Sequence, residues 1–237
     1  MSMKFQRKKG RNVLLSFFYK FDKIIPLSKT RKLKLYLDLE WIFERLAHEQ
    51  SFKVFDKTCH PVRTKSTSFL QKHLNSSHEV LDLGCNSGDL TFLLSKYVKT
   101  ITGIDYDLKL IDQAKAKYTS STITFIGDDA LSYLKKNNKV FDVLILSHIL
   151  EHLEEPGSFL RSFKKFFTNI YIEVPDFERT HLNIYRQKLQ SSLVYSDIDH
   201  IWEFDRQSIQ KLVIECGLVI QDAEFRLGVQ KYWCSTK

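Results

Sequence analysis

From residue 79 onward, short apolar runs alternate with segments in which apolar residues recur every three or four positions. The runs are rich in aliphatic and β-branched residues and predict strands over 79–83, 100–104, 123–126, 140–146 and 170–174. The segments between them predict helices over 90–97, 107–118, 130–136 and 157–167. A last helix, 206–216, is followed by two strand-like runs, 218–226 and 231–234, whose short connection at Gly228 predicts an antiparallel hairpin. Strands alternating with helices make a doubly wound α/β domain, with a parallel sheet covered on both faces.

Upstream the rhythm is helical. Leu35, Leu39, Ile42, Phe43 and Leu46 share one face within 33–55, while Lys34, Asp38, Glu44 and Arg45 fall elsewhere, which predicts an amphipathic helix lying over the sheet domain as a lid. A polar stretch over 57–68 with Pro61 inside it reads as a connection to a short helix at 69–74. The chain thus divides into a basic amphipathic helical extension, 1–68, and a larger domain, 69–237, with a substrate insertion at about 175–200. That insertion carries Phe177, Arg179, His181, Tyr185, Arg186 and Tyr195. Aromatics beside arginines suit a sugar face or an anionic head, and a helical insert anchored by its own aromatics is the alternative.

Charge sharpens the reading of the extension. Residues 1–35 hold eleven Lys or Arg against the single acid Asp22, a net +10, while the remainder nets −2 with 25 bases against 27 acids. Within that basic segment stand Val13, Leu14, Leu15, Phe17, Phe18, Tyr19, Phe21, Ile24 and Ile25. Residues 1–32 are therefore expected to make peripheral membrane contact, ahead of nucleic acid, because phosphate contact alone does not call for so many apolar side chains. A solvated helical appendage is the plain alternative.

Length and composition bound the rest. With 237 residues, 43% of them hydrophobic, the chain can bury one sizeable core plus an appendage. No apolar run approaches the roughly 18 residues needed to span a bilayer. Cys59, Cys85, Cys216 and Cys234 lie far apart without a paired spacing, and nothing reads as a cleavable signal, which points to a reducing cytoplasm, with peripheral contact at the inner face of a membrane expected beside it.

The sharpest motif is VLDLGCNSGDLTFLL, residues 80–94: a buried strand ending in Asp82-Leu83-Gly84, a tight turn, and a helix starting near Gly88. Gly84 would remove a Cβ from a ligand's path and Gly88 would let the helix begin close to it. About twenty residues on, GIDYD places Asp105 at a strand end, where a carboxylate can accept both hydroxyls of a ribose. The turn lacks the GxGxxG that holds a pyrophosphate, and Asp82 would repel one, so a cationic sulfonium amino acid suits it better. In IGDDA, Asp128 or Asp129 can accept from an adenine amino group.

On these motifs residues 70–237 resemble class I S-adenosylmethionine-dependent methyltransferases, of the broad type that includes ubiquinone-biosynthesis and sugar O-methyltransferases. The resemblance implies a Rossmann-like, seven-stranded sheet with its last strand antiparallel. It also implies a cofactor site formed by Asp82, Gly84, Cys85, Asn86, Gly88, Asp105, Tyr106, Asp128, Asp129 and Ser147. In that site Asp82 lies near the methionine amino group, Asp105 on the ribose and Asp129 near the adenine. Asn86 departs from the glycine usual at the middle of the turn, a departure that Asn tolerates because it accepts left-handed backbone.

The segment SHILEHLEEP, 147–156, follows the fourth strand, at the sheet edge where such folds hold ligands. His148, Glu151 and His152 would converge if they shared one helical turn, and His200, in SDIDHIWEF, is a fourth candidate. This constellation is partly similar to that of the metal-dependent small-RNA 2′-O-methyltransferases, with His148 standing where they carry a Glu. One carboxylate among three imidazoles would favour zinc or manganese over magnesium. A pocket without metal, in which His148 or His152 serves as the base and Glu151 shapes the site, is the other reading.

The expected activity is methyl transfer from S-adenosylmethionine to a small-molecule or saccharide acceptor, at a hydroxyl. Two alternatives stand beside it: a metal-dependent RNA 2′-O-methyltransferase, which the slightly acidic catalytic portion disfavours, and a cofactor-binding scaffold without catalysis.

Overall fold

The computed structural model describes residues 12–55, 60–191, 193, 197 and 199–236. In chain order the elements are α1 (Val13–Ile24), α2 (Lys29–Val54), α3 (Pro61–His73), β1 (Glu79–Leu83), α4 (Asp89–Leu94), β2 (Thr100–Asp105), α5 (Leu108–Lys117), β3 (Ile123–Gly127) and α6 (Ala130–Asn137). They continue with β4 (Phe141–Ser147), α7 (Pro156–Phe163), β5 (Phe167–Pro175), α8 (Leu182–Lys188), α9 (Arg206–Glu215), β6 (Val219–Arg226) and β7 (Val229–Ser235).

The strands form one seven-stranded sheet in the order β3-β2-β1-β4-β5-β7-β6. β1 to β5 pair in parallel, and β7 runs antiparallel between β5 and β6. The β6–β7 turn is made by Leu227 at φ +60° and Gly228 at φ +80°, left-handed backbone of the kind that joins hairpin strands without splaying them. Chain order reverses between β1 and β4, so the carboxyl ends of these two strands flank the topological switch point where open α/β sheets take their ligands.

Period-two alternation sorts the strand residues onto two faces. Leu81, Leu144, Leu146 and Ile172 pack with Leu134 of α6, Leu160 and Phe163 of α7, and Ile209 and Val213 of α9. Val80, Val143, Ile145, Tyr171 and Trp233 pack on the other face with Phe69 and Leu70 of α3 and Leu94 of α4. Every one of these central side chains is buried, which explains the near-continuous apolar runs in the sequence.

Several sequence expectations are corrected. Pro61 opens α3 at a position where its missing N–H is no loss, and His60 caps it through Nδ1, 3.3 Å from the Val62 N–H; the segment from Pro61 to Ser68 is therefore helix and not connection. Lys57 and Cys59 lie outside the described residues. α2 begins at Lys29, four residues earlier than expected, because Ser28 supplies an N-cap to the Arg31 N–H at 3.3 Å. α7 stops at Phe163, and a 3₁₀ turn leads into a β5 that already begins at Phe167, since Phe166 and Phe167 are buried against the sheet.

The insertion carries a 3₁₀ turn, Phe177–Arg179, and α8, which docks on α2. Arg186 is buried and donates to Asn183 Oδ1 and to the Leu37 carbonyl, both at 2.9 Å, and also to Glu40. Arg179 pairs with Glu44, Ser191 donates to Asp38 at 3.1 Å, and Arg45 meets Asp197 at 3.0 Å. α2 buries only Leu37, so polar contacts hold it over the sheet edge. Tyr195 lies outside the described residues.

Candidate active site

The carboxyl ends of β1, β2 and β3 build one half of the site. After β1 the chain passes through Gly84 at φ +71°, Asn86 at +50° and Gly88 at +78°, a curl of left-handed backbone that only glycine and a few others accept. The protein's own packing requires both glycines. A Cβ on Gly84 would lie 2.5 Å from Ile149 Cδ1, and one on Gly88 would meet the Phe125 ring at 2.6 Å. At these two positions the space a Cβ would need is thus filled by the loop after β4 and by β3.

Asp105 ties this turn to the end of β2. Its Oδ2 accepts the Asn86 N–H at 2.9 Å and its Oδ1 the Asp107 N–H at 3.0 Å, which leaves lone pairs on each oxygen for hydroxyl donors. Beside it the Tyr106 ring is 88% exposed. At the end of β3, Asp128 and Asp129 are exposed; Asp129 also caps α6, accepting from the Ser132 N–H at 2.8 Å. Asp82 is buried beneath the turn and accepts the Thr91 hydroxyl at 2.6 Å. Burial pushes its carboxyl up to about 6; the Thr91 hydrogen bond opposes this rise and the nearby Asp105 adds to it. Burial also drives the Cys85 thiol upward, which makes Cys85 a packing group. This set offers carboxylates and an exposed ring without a Lys or Arg of its own, so it could hold a cationic adenosyl amino acid and is ill suited to a pyrophosphate.

The ends of β4 and β5 build the other half. Ser147 donates to Glu173 Oε1 at 3.2 Å. His148 follows with φ +57°, its N–H bonded to the Glu173 carbonyl at 2.9 Å, and only then comes a 3₁₀ turn, Leu150–His152. The single helical turn expected to gather His148, Glu151 and His152 does not form, because this left-handed residue separates His148 from the other two. The His148 ring stands between two buried carboxylates, Nδ1 3.0 Å from Glu151 Oε1 and Nε2 3.4 Å from Glu173 Oε1. Desolvation opposes its charge, yet the hydrogen bonds to Glu151 and Glu173 prevail and raise it to about 10, although the side chain is 44% exposed on one side. Glu173 is held down at about 2: desolvation would raise it, but His148, Tyr171 at 2.5 Å and the charge of Lys231 outweigh that. His148 is thus an imidazolium at neutral pH and is poorly placed to act as a base.

Glu151, His152 and His200 do come together, each offering a ligand atom within 4.8 Å of the others. Glu151 Oε2 is buried and has no hydrogen-bond partner among the described residues. His152 Nδ1 lies 3.2 Å from the Asp199 carbonyl and His200 Nδ1 3.0 Å from Glu203 Oε1, the arrangement that orients imidazoles for ligation. The distant segment is pinned here because the Ile201 and Trp202 N–H groups both donate to the Glu151 carbonyl, at 2.9 and 3.1 Å. A divalent cation fits this donor set, one carboxylate and two imidazoles, and an otherwise orphaned buried oxygen supports the fit.

A cavity of about 530 Å³ opens between this edge and α2, lined among others by Trp41, His48, His60, Leu90, His148 and Glu173. Arg179 of the insertion also lines it, whereas Arg186 is structural and Tyr185 faces solvent. Sequence reasoning missed Glu173, Tyr171, His48 and His60. An acid closing an apolar strand, IYIEVP, was a signal for Glu173. His48 carried none; it lines the cavity, where desolvation and the neighbouring Arg45 and His60 lower its imidazole below the usual range.

Comparison with known proteins gives a consistent pattern. The profile of a family described as a methyltransferase domain matches residues 55–223. A ubiquinone biosynthesis O-methyltransferase of Coxiella burnetii is 34% identical over 104 residues, 43% of this chain and 43% of that protein. The chain thus aligns with less than half the length of this curated relative. Magnesium protoporphyrin IX methyltransferase from Synechocystis PCC 6803, solved with bound SAH, superposes with a TM-score of 0.58 at 15% identity, covering 95% of each chain. The methyltransferase domain of bacterial CtHen1-CN superposes with a TM-score of 0.54 at 22% identity, over 73% of this chain and 97% of that one. The two superpositions are likenesses of fold.

Proposed function

The chain belongs to the methyltransferase-domain family, and from that premise we propose that it transfers a methyl group from S-adenosylmethionine to a hydroxyl of a small-molecule or saccharide acceptor. The observation that carries the acceptor half is the cavity of about 530 Å³ at the carboxyl ends of β4 and β5, whose wall includes Leu90 of the helix that follows the Gly84 to Gly88 turn. The name of the ubiquinone-biosynthesis relative supports an oxygen acceptor.

In this reading Asp105 accepts the ribose hydroxyls, Tyr106 covers the adenine, Asp128 or Asp129 accepts its amino group, and Asp82 presents its charge to the methionine ammonium. Gly84, Cys85, Asn86, Gly88 and Ser147 shape the backbone around it. The cofactor supplies an activated methyl whose leaving group departs as a neutral thioether. Alignment accounts for most of such a transfer, and a hydroxyl must in addition lose its proton. His48, on the cavity wall with its imidazole lowered by desolvation and by Arg45 and His60, can take that proton, while the His148 imidazolium positions Glu151 and Glu173.

The test is calorimetry with S-adenosylhomocysteine on the parent and on Asp105→Asn, followed by methyl transfer to phenolic and saccharide hydroxyls. A parent that binds no S-adenosylhomocysteine would overturn the reading.

The unpartnered Glu151 Oε2 beside His152 and His200 favours a second reading, metal-assisted methylation, with an RNA 2′-hydroxyl among the acceptors. Those three residues would hold the cation, which would acidify the acceptor oxygen. Zinc or manganese titration of the parent and of Glu151→Gln tests it: one site lost in the variant supports this reading, and activity undiminished after chelation ends it.

A further inference from the structure

No residue of α1 is buried, so the described chain leaves this helix uncovered. At 100° per residue, Val13, Leu14, Phe17, Phe18, Phe21 and Ile24 fall within an arc of about 140°. Their exposures run from 47 to 76%. Lys20 borders that arc beside Val13, and Ser16 and Lys23 lie beyond it on the same side, while Leu15 and Tyr19, also exposed, stand across the helix. Asp22 makes the contact with α2: Tyr36 donates to it at 2.6 Å and Lys32 lies 3.3 Å away. That edge contact fixes the helix and leaves the apolar arc facing outward.

Six large apolar side chains on one exposed face call for a cover, and charge selects among the candidates. Lys20 and Lys23 share the helix with the patch, and Lys29, Arg31, Lys32 and Lys34 follow at the start of α2, against the lone Asp22. A second copy would set two such basic segments against each other. A nucleic acid would meet the cations and leave the phenylalanines in water. An anionic bilayer satisfies both halves, with apolar groups entering the acyl boundary and ammonium groups at the headgroups.

We propose that α1 docks this protein on an anionic phospholipid surface, with Phe17, Phe18 and Phe21 inserted and Lys20 and Lys23 level with the headgroups. α2 follows after four residues, and Trp41, which lines the cavity, stands roughly 18 Å along it, so docking holds the cavity mouth near the membrane. The inference stands on α1 and the cations beside it over residues 20–34, and is independent of the methyl-transfer reading.

Co-sedimentation of the full chain with phosphatidylcholine vesicles, pure or mixed with phosphatidylglycerol, tests it. The parent is expected to bind the mixed vesicles and release them at high salt, and Lys20→Gln and Lys23→Gln each to weaken binding about fivefold. Phe17→Ser/Phe21→Ser is expected to abolish binding with an unchanged melting curve, since neither residue is buried. Absence of parent binding to the mixed vesicles, or full binding by the double serine variant, overturns the proposal. So does a dimer by ultracentrifugation that this variant converts to monomer, which would give the face to a second copy.

Discussion

His148 Nε2 lies 3.4 Å from Glu173 Oε1, a pairing that joins the loop after β4 to the end of β5 and turns a histidine expected to accept protons into a held cation.

This pairing has a pH signature. His148 is raised to about 10, so its contribution to stability is fully present below the unfolded value near 6.5 and is lost as pH rises toward 10. Glu173 is lowered to about 2, so its contribution is present above about 4.5 and is lost as pH falls toward 2. The melting deficit of Glu173→Gln should therefore be largest between about 4.5 and 6.5 and shrink toward pH 10. An NMR titration should place the His148 midpoint near 10, and a midpoint close to the ordinary imidazole value would refute the assignment.

Asp82 carries the opposite sign. Its carboxyl is raised to about 6, so the buried charge destabilises the fold above pH 6 and does nothing below about 3.8. Asp82→Asn keeps an acceptor for Thr91 and should gain up to about 3 kcal/mol at pH 8, an advantage that vanishes on acidification. If Asp82 also faces the methionine ammonium, calorimetry will show weaker S-adenosylmethionine binding in the same variant. A melting temperature unchanged at pH 8 would count against the buried charge.

Gly84→Ala meets two separate penalties, the 2.5 Å clash with Ile149 Cδ1 and the positive φ. Chemical denaturation should show a loss of about 2 kcal/mol. Placed in an Ile149→Ala background, the same change should cost less but still register, because only the clash is relieved. Equal losses in both backgrounds would show that Ile149 is not what fills that space.

Arg186→Met should loosen α2 selectively. The guanidinium holds the Leu37 carbonyl at 2.9 Å and pairs with Glu40, in a helix that otherwise buries only Leu37. Hydrogen exchange should quicken across residues 29–54 with β4 and β5 unchanged, for a local loss of about 1–3 kcal/mol. Uniform quickening throughout the sheet would contradict this.

Much of the fold was written locally. The parallel strands, the Asp82 to Gly88 turn, Asp105 at the end of β2 and the Gly228 hairpin could be read because periodicity and turn chemistry act over a few residues. The exposed apolar face of α1 was visible in the same way. Position in space was not. Nothing local reveals that His148 takes left-handed backbone and leaves the turn its neighbours share, that Ile201 and Trp202 draw His200 onto Glu151, or that Ile149 fills the space above Gly84. Those outcomes depend on which strand ends lie side by side and on how far each charge is removed from water, and only packing of the whole chain settles either.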